Sequence, residues 1–129
     1  MHDKLKQGDA LFAEGNLEEA KECFNSILQR HPRCTEAYNN LGVIAFQNNN
    51  AEEAIKNFRA CLAIDPRYKD AIVNLASLFR SLNHLDAAIA ILKDFDKRSP
   101  EDEEITILLR EFNEIHDQET AHDKSLPAD

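Results

Sequence analysis

Four sets of residues recur at intervals of 34 along this chain: Gly8, Gly42 and Ala76; Ala20, Ala54 and Ala88; Phe24, Phe58 and Leu92; Pro32, Pro66 and Pro100. Side-chain size is kept in each set, so the chain must build one local unit several times over. The middle copy shows what that unit is. Its sequence from Tyr38 to Pro66 is YNNLGVIAFQNNNAEEAIKNFRACLAIDP. Tyr38, Leu41, Gly42 and Ala45 fall at i, i+3, i+4 and i+7, as one apolar stripe of a helix. Ala54, Phe58 and Cys61 make a second stripe, after a polar turn. Two short amphipathic helices cannot bury both stripes on each other alone, so the copies must stack.

A 34-residue helix–turn–helix with small and large pairs closed by proline resembles the tetratricopeptide repeat (TPR) family, over roughly residues 2–100. The resemblance implies an all-α fold, a right-handed α-solenoid. The units are expected at 1–34, 35–68 and 69–102, as one domain over 1–100. A capping helix is expected over 101–119, and residues 120–129 read as a disordered tail.

Local signals place the helices. Gly15 suits a left-handed position after the first helix, and Asn49 and Asn83 occupy the same place in the next two copies. The second helices then read as Leu17–Arg30, Ala51–Ile64 and Leu85–Lys97, with acids in the first turns facing the positive dipole end. Ser99-Pro100-Glu101-Asp102 reads as an N-cap with proline at the first helical position. Ile105, Leu108, Leu109 and Phe112 form the stripe of the closing helix, widened by Ile107 and Ile115. Lys4 and Gln7 replace the apolar Tyr38 and Leu41 of the middle copy, as expected of a terminal repeat with a polar outer face. Gly8 and Gly42 are expected to let the helices of a unit cross closely at Ala20 and Ala54, with Phe24 and Phe58 filling the space beside.

Composition narrows the function. Hydrophobic content of 43% and charged content of 30% suit a folded domain. The net charge of −9 comes almost wholly from residue 101 onward, since the repeats are balanced within one charge. No clustered lysine and arginine surface of the nucleic-acid kind is present. No apolar run spans a membrane. Cys23, Cys34 and Cys61 form no CxxC pair and read as free thiols of a cytoplasmic protein. The five histidines form no HxxxH pair, no glycine-rich phosphate loop exists, and no cysteine has a histidine base in sequence. Neither an enzyme nor a cofactor site is expected.

The family resemblance implies binding of a peptide or partner protein in the concave groove lined by the first helix of each unit. Phase puts Asp9 and Phe12 there from the first unit, Asn39, Asn40, Val43 and Phe46 from the second, and Asp70, Val73, Asn74 and Ser77 from the third. Chaperone-binding members of the family hold a peptide's terminal carboxylate with two lysines, two asparagines and an arginine. The matching places here are Leu5, Asp9, Asn40, Asp70 and Asn74, and only Asn40 agrees. Asn40 and Asn74, one period apart, instead resemble the asparagine ladder of long superhelical arrays, which grips peptide backbone through amide donors and acceptors. The other reading of these two is a tolerated helix asparagine. Phe12 and Phe46 share a phase, as an exposed apolar anchor or as packing between units. Asp9, Glu36 and Asp70 favour a ligand with positive charge. The sequence is thus read as a non-catalytic binding scaffold; the alternatives are an N-terminal accessory domain of a glycosyl- or methyltransferase, or a self-associating scaffold.

Overall fold

The computed structural model describes residues 1–125, and its helices run α1 (His2–Ala13), α2 (Leu17–Arg30), α3 (Thr35–Gln47), α4 (Ala51–Ile64), α5 (Lys69–Ser81), α6 (Leu85–Arg98) and α7 (Glu103–Ser125). No strand occurs among the described residues. The helices form two compact units, Met1–Asn74 and Leu75 onward, with the boundary inside α5.

Each helical hairpin turns by the same device. Gly15, Asn49 and Asn83 hold positive φ of 83°, 58° and 62°. The amide of the next residue then reaches back to a carbonyl of the preceding helix: Asn16 to Leu11, Asn50 to Ala45, His84 to Phe79, at 2.8–2.9 Å. The left-handed residue itself donates to Phe12, Phe46 and Arg80. This is the Schellman closure, which satisfies carbonyls that a helix end leaves free. Glycine reaches that backbone at no steric cost, and asparagine at little.

The proline register has a different explanation from the one expected at Pro100. The amides of Cys34, Tyr68 and Asp102 donate to the carbonyls of His31, Asp65 and Ser99 at 3.0–3.1 Å. Each proline is therefore the second residue of a β-turn, where its fixed φ is pre-set. Pro100 does not open α7. The cap is Asp102, whose Oδ1 accepts from the Ile105 amide at 3.2 Å, and the helix begins at Glu103. At its other end α7 runs on to Ser125, past the expected limit of 119. Nothing between 119 and 125 breaks a helix, and Thr120 satisfies its hydroxyl on the His116 carbonyl one turn back at 2.8 Å. The remainder of the expected tail, 126–129, lies outside the described residues.

In the first unit α1 packs on α2, α2 on α3 and α3 on α4. One core cluster joins Leu5, Ala20, Phe24 and Ile27 to Cys34, Ala37, Leu41 and Ile44. Phe24 and Phe58 are fully buried; each such side chain stabilises by about 1.5–3 kcal/mol. The glycines answer to these rings. A Cβ on Gly8 would lie 2.6 Å from the Phe24 ring, and one on Gly42 would lie 2.5 Å from the Phe58 ring. The close neighbour is the phenylalanine rather than the alanine of the facing helix. In the second unit α6 packs on α7, and Ala76, Ala88, Leu92, Phe95, Ile105 and Phe112 are buried. The threonine hydroxyl of Thr106 donates to Asp96 at 3.0 Å, and His116 meets Asp86 at 2.7 Å, both pinning α7 to α6. Ile107 does not widen the stripe, because it is 48% exposed.

Candidate peptide-binding surface

The residues that phase assigns to a binding face come mostly from α1, α3 and the first turns of α5, within the first unit. Asp9 and Asp70 are exposed, and Phe12, Asn40, Val43, Phe46, Val73 and Asn74 are half-buried. Asn39 is buried, at 6% exposure. Phe12 packs against the core cluster, as the packing alternative for that ring requires. Ser77 belongs to the second unit, where it lines a cavity of about 300 Å³ with Arg80, Ser81, Leu108 and Phe112. Arg80 lies there over the Phe112 ring, 5.2 Å from its centroid. The fold residues sit apart from these: Gly8, Gly42, Ala20, Ala54, Ala76, Ala88, Phe24, Phe58 and Leu92 are buried, whereas Pro32, Pro66 and Pro100 are exposed in their turns.

Both asparagines of the suspected ladder are tethered to the unit before them. Asn40 Nδ2 donates to Asp9 Oδ1 at 3.0 Å, and Asn74 Nδ2 donates to Asn39 Oδ1 at 3.1 Å. Each amide spends a donor proton on a neighbouring helix. Each keeps its Oδ1 without a protein donor among the described residues. What is left on both is a carbonyl acceptor, held in a fixed direction, and the second N–H of the amide. The partners Asp9 and Asn39 are 31 and 35 residues from their asparagines, three short of the 34-residue repeat and one beyond it, so no single register displays them.

Carboxylates gather at the start of α3 and α5. The Tyr68 phenol is pushed up to about 12, first by burial and then by nearby acidic groups, among them the carboxylates of Glu36 and Asp70. Cys61 is likewise pushed up to about 12, first by burial and then by Asp65, Asp70 and Cys34, so the thiol stays protonated and inert. Glu36 and Asp70 therefore bear on one phenol, and this edge of the first unit carries negative charge. Cys23 and Cys34 are buried free thiols as well, and Cys23 Sγ donates to the Lys4 carbonyl at 3.2 Å. Among the described residues no helix is long and apolar enough to cross a membrane.

Known proteins share this architecture. Two family models, each described as tetratricopeptide repeat, match residues 5–69 and 45–111. Among solved structures, the first TPR of Spaghetti (RPAP3) bound to the HSP90 peptide SRMEEVD superposes with a TM-score of 0.75 at 19% identity, covering 87% of this chain and 91% of that one. The Hsp90 co-chaperone Cns1 from Saccharomyces cerevisiae superposes at 0.80 with 19% identity over 95% of this chain, which spans only 41% of the yeast chain. No curated protein matches by sequence. At such identity the solved structures show a shared fold and nothing about ligands.

Proposed function

We propose, from the premise that this chain belongs to the tetratricopeptide repeat family, that it is a non-catalytic interaction module whose first-helix faces hold an extended, cation-bearing segment of a partner protein. The observation that carries this reading is the Asn40–Asp9 pair at 3.0 Å. It sets a carbonyl acceptor beside a carboxylate, where the carboxylate-holding members of the family present cations and amide donors. A peptide backbone N–H can meet Asn40 and Asn74 Oδ1, and a lysine or arginine side chain can meet Asp9, with Glu36 and Asp70 adding negative charge. Val43, Phe46 and Val73 supply apolar contact between these polar points. An acidic peptide such as the SRMEEVD held by the Spaghetti domain would be repelled by Asp9 and Asp70. Buried free thiols suit a reducing compartment, which supports placement in the cytoplasm.

Fluorescence anisotropy with two labelled heptapeptides tests this, one SRMEEVD and one with its acids replaced by lysine. The lysine peptide should bind more tightly and weaken as salt rises. Asn40→Ala and Asn74→Ala should each weaken it about threefold to tenfold, the worth of one hydrogen bond, with thermal melting run alongside to register lost tethering. Preference for SRMEEVD, or an unchanged affinity in the double variant, would overturn the reading.

A further inference from the structure

A second pocket carries charge of the opposite sign. The turn from α2 into α3 and the start of α1 border an open surface pocket of about 350 Å³, lined by Met1, Arg30, His31, Pro32, Arg33 and Cys34. From Cys23 to Thr35 the chain carries no carboxylate, in a molecule with 24 of them. The nearest in sequence to the pocket, Asp3 and Glu36, do not line it, and Glu36 acts on Tyr68. Arg30 and Arg33 have no carboxylate partner among the described residues.

The second proline turn is a built-in control. There the residue matching His31 is Asp65, whose Oδ1 accepts from the Arg67 amide at 3.0 Å. The third turn carries Ser99 and Glu101 at the places of His31 and Arg33. Only the first copy puts cationic or neutral nitrogen at both places and adds Arg30 behind them. The Cys34 amide bonded to the His31 carbonyl at 3.0 Å, together with Pro32, fixes the turn that carries them. Arg30 ends α2 and Arg33 sits on the turn, so their backbones are fixed a short distance apart, and the planar guanidinium meets phosphate oxygens two at a time.

We infer that this pocket binds a phosphate monoester carried on a serine or threonine of a partner segment. Two arginines and a histidine match a dianion better than a single carboxylate, and Pro32, Met1 and Cys34 give an apolar wall for the residue beside it. The site is independent of the peptide face, because none of its six lining residues belongs to that face.

The test is titration of the whole chain with a phosphoserine hexapeptide, its serine counterpart and inorganic phosphate, followed by amide chemical shifts. The phosphopeptide should shift the amides of His31 to Ala37 and saturate, with the serine peptide silent there. Arg30→Gln with Arg33→Gln should weaken it at least about tenfold while the melting temperature holds, and Asn40→Ala should leave it unchanged. Equal response to the serine peptide, no loss in the double arginine variant, or inorganic phosphate binding as tightly as the peptide would overturn the proposal.

Discussion

The two compact units solve one packing problem with different residues. In the first, Phe24 and Phe58 push into spaces that Gly8 and Gly42 leave by lacking a Cβ, at 2.6 and 2.5 Å. In the second, the matching positions hold Ala76 and Leu92, both fully buried, and a larger residue on one helix goes with a smaller one on the other. What the repeat keeps is summed volume at the pair, not either side chain, as volume-conserving core exchange allows. The second unit recovers an aromatic from elsewhere, since α7 brings Phe112, which is 1% exposed. At this pair side-chain identity changes between copies while summed volume is held in all three, so identity and volume are separate quantities.

The largest effect should come from emptying the wedge. Phe58→Ala should cost about 3–5 kcal/mol in urea unfolding, by cavity formation; a loss below 1 kcal/mol would mean the ring is not what fills the space. Next, Gly42→Ala gains about 1 kcal/mol of helix propensity but forces a methyl into the Phe58 ring. The clash should win by about 1–2 kcal/mol. Adding Phe58→Leu converts the pair into that of the second unit. The double variant should then be more stable than the sum of the two single losses predicts, by about 1 kcal/mol or more. Strict additivity would break the comparison.

Caps should give smaller changes in each unit. Asn50 accepts from the Glu53 amide at 3.2 Å and Asp102 from that of Ile105 at 3.2 Å, so replacing either by alanine should cost about 1 kcal/mol. Asn16 and His84 stand at matching places without a side-chain cap bond, and their alanine variants should cost less than half of that, by the same denaturant measurement. The mildest effect at moderate pH belongs to the thiol. Cys61 is raised from 9.0 to about 12, so above pH 9 the unfolded chain loses a proton that the folded chain keeps. Stability should be flat below pH 9 and fall as pH rises from about 9 toward 12. Every cysteine and tyrosine lies in the first unit. Hydrogen exchange at pH 8 and pH 10, corrected for intrinsic rates, should therefore show the first unit opening more readily while α6 and α7 change less.

Much of the fold was legible because its signals are local. Gly15, Asn49 and Asn83 announce their backbone by residue type, and the structure gives all three positive φ. The helices α2 and α4 start and stop at the residues their stripes and caps indicate. The start of α7 is ambiguous in the sequence because Ser-Pro-acid satisfies two rules at once, a helix opening and a β-turn. The other two prolines hold the turn, and reading Pro100 with its register would have chosen correctly. The far end of α7 is not marked in the sequence, because the apolar period fades after Ile115 while exposed polar residues hold a helix well once one face is packed. The side-chain tethers were not legible at all. Asn40 finds Asp9 and Asn74 finds Asn39 across helices, and such choices depend on rotamer and approach rather than on spacing.

The turn at each proline carries one more consequence. His31, Asp65 and Ser99 close their turns with backbone carbonyls, and Cys34 and Tyr68 open the next helix by offering backbone carbonyls to Tyr38 and Ile72 at 3.2–3.3 Å. Joints made of main chain keep their hydrogen bonds whatever side chain stands at the splice. A gene could therefore lengthen this protein by duplicating the segment 35–68 in frame and joining Tyr68 to Thr35, and the Tyr68 carbonyl would meet the Tyr38 amide as the Cys34 carbonyl does in the parent. Growth by whole copies is cheap for such a chain, while an insertion of any other length would put Gly42 opposite the wrong ring.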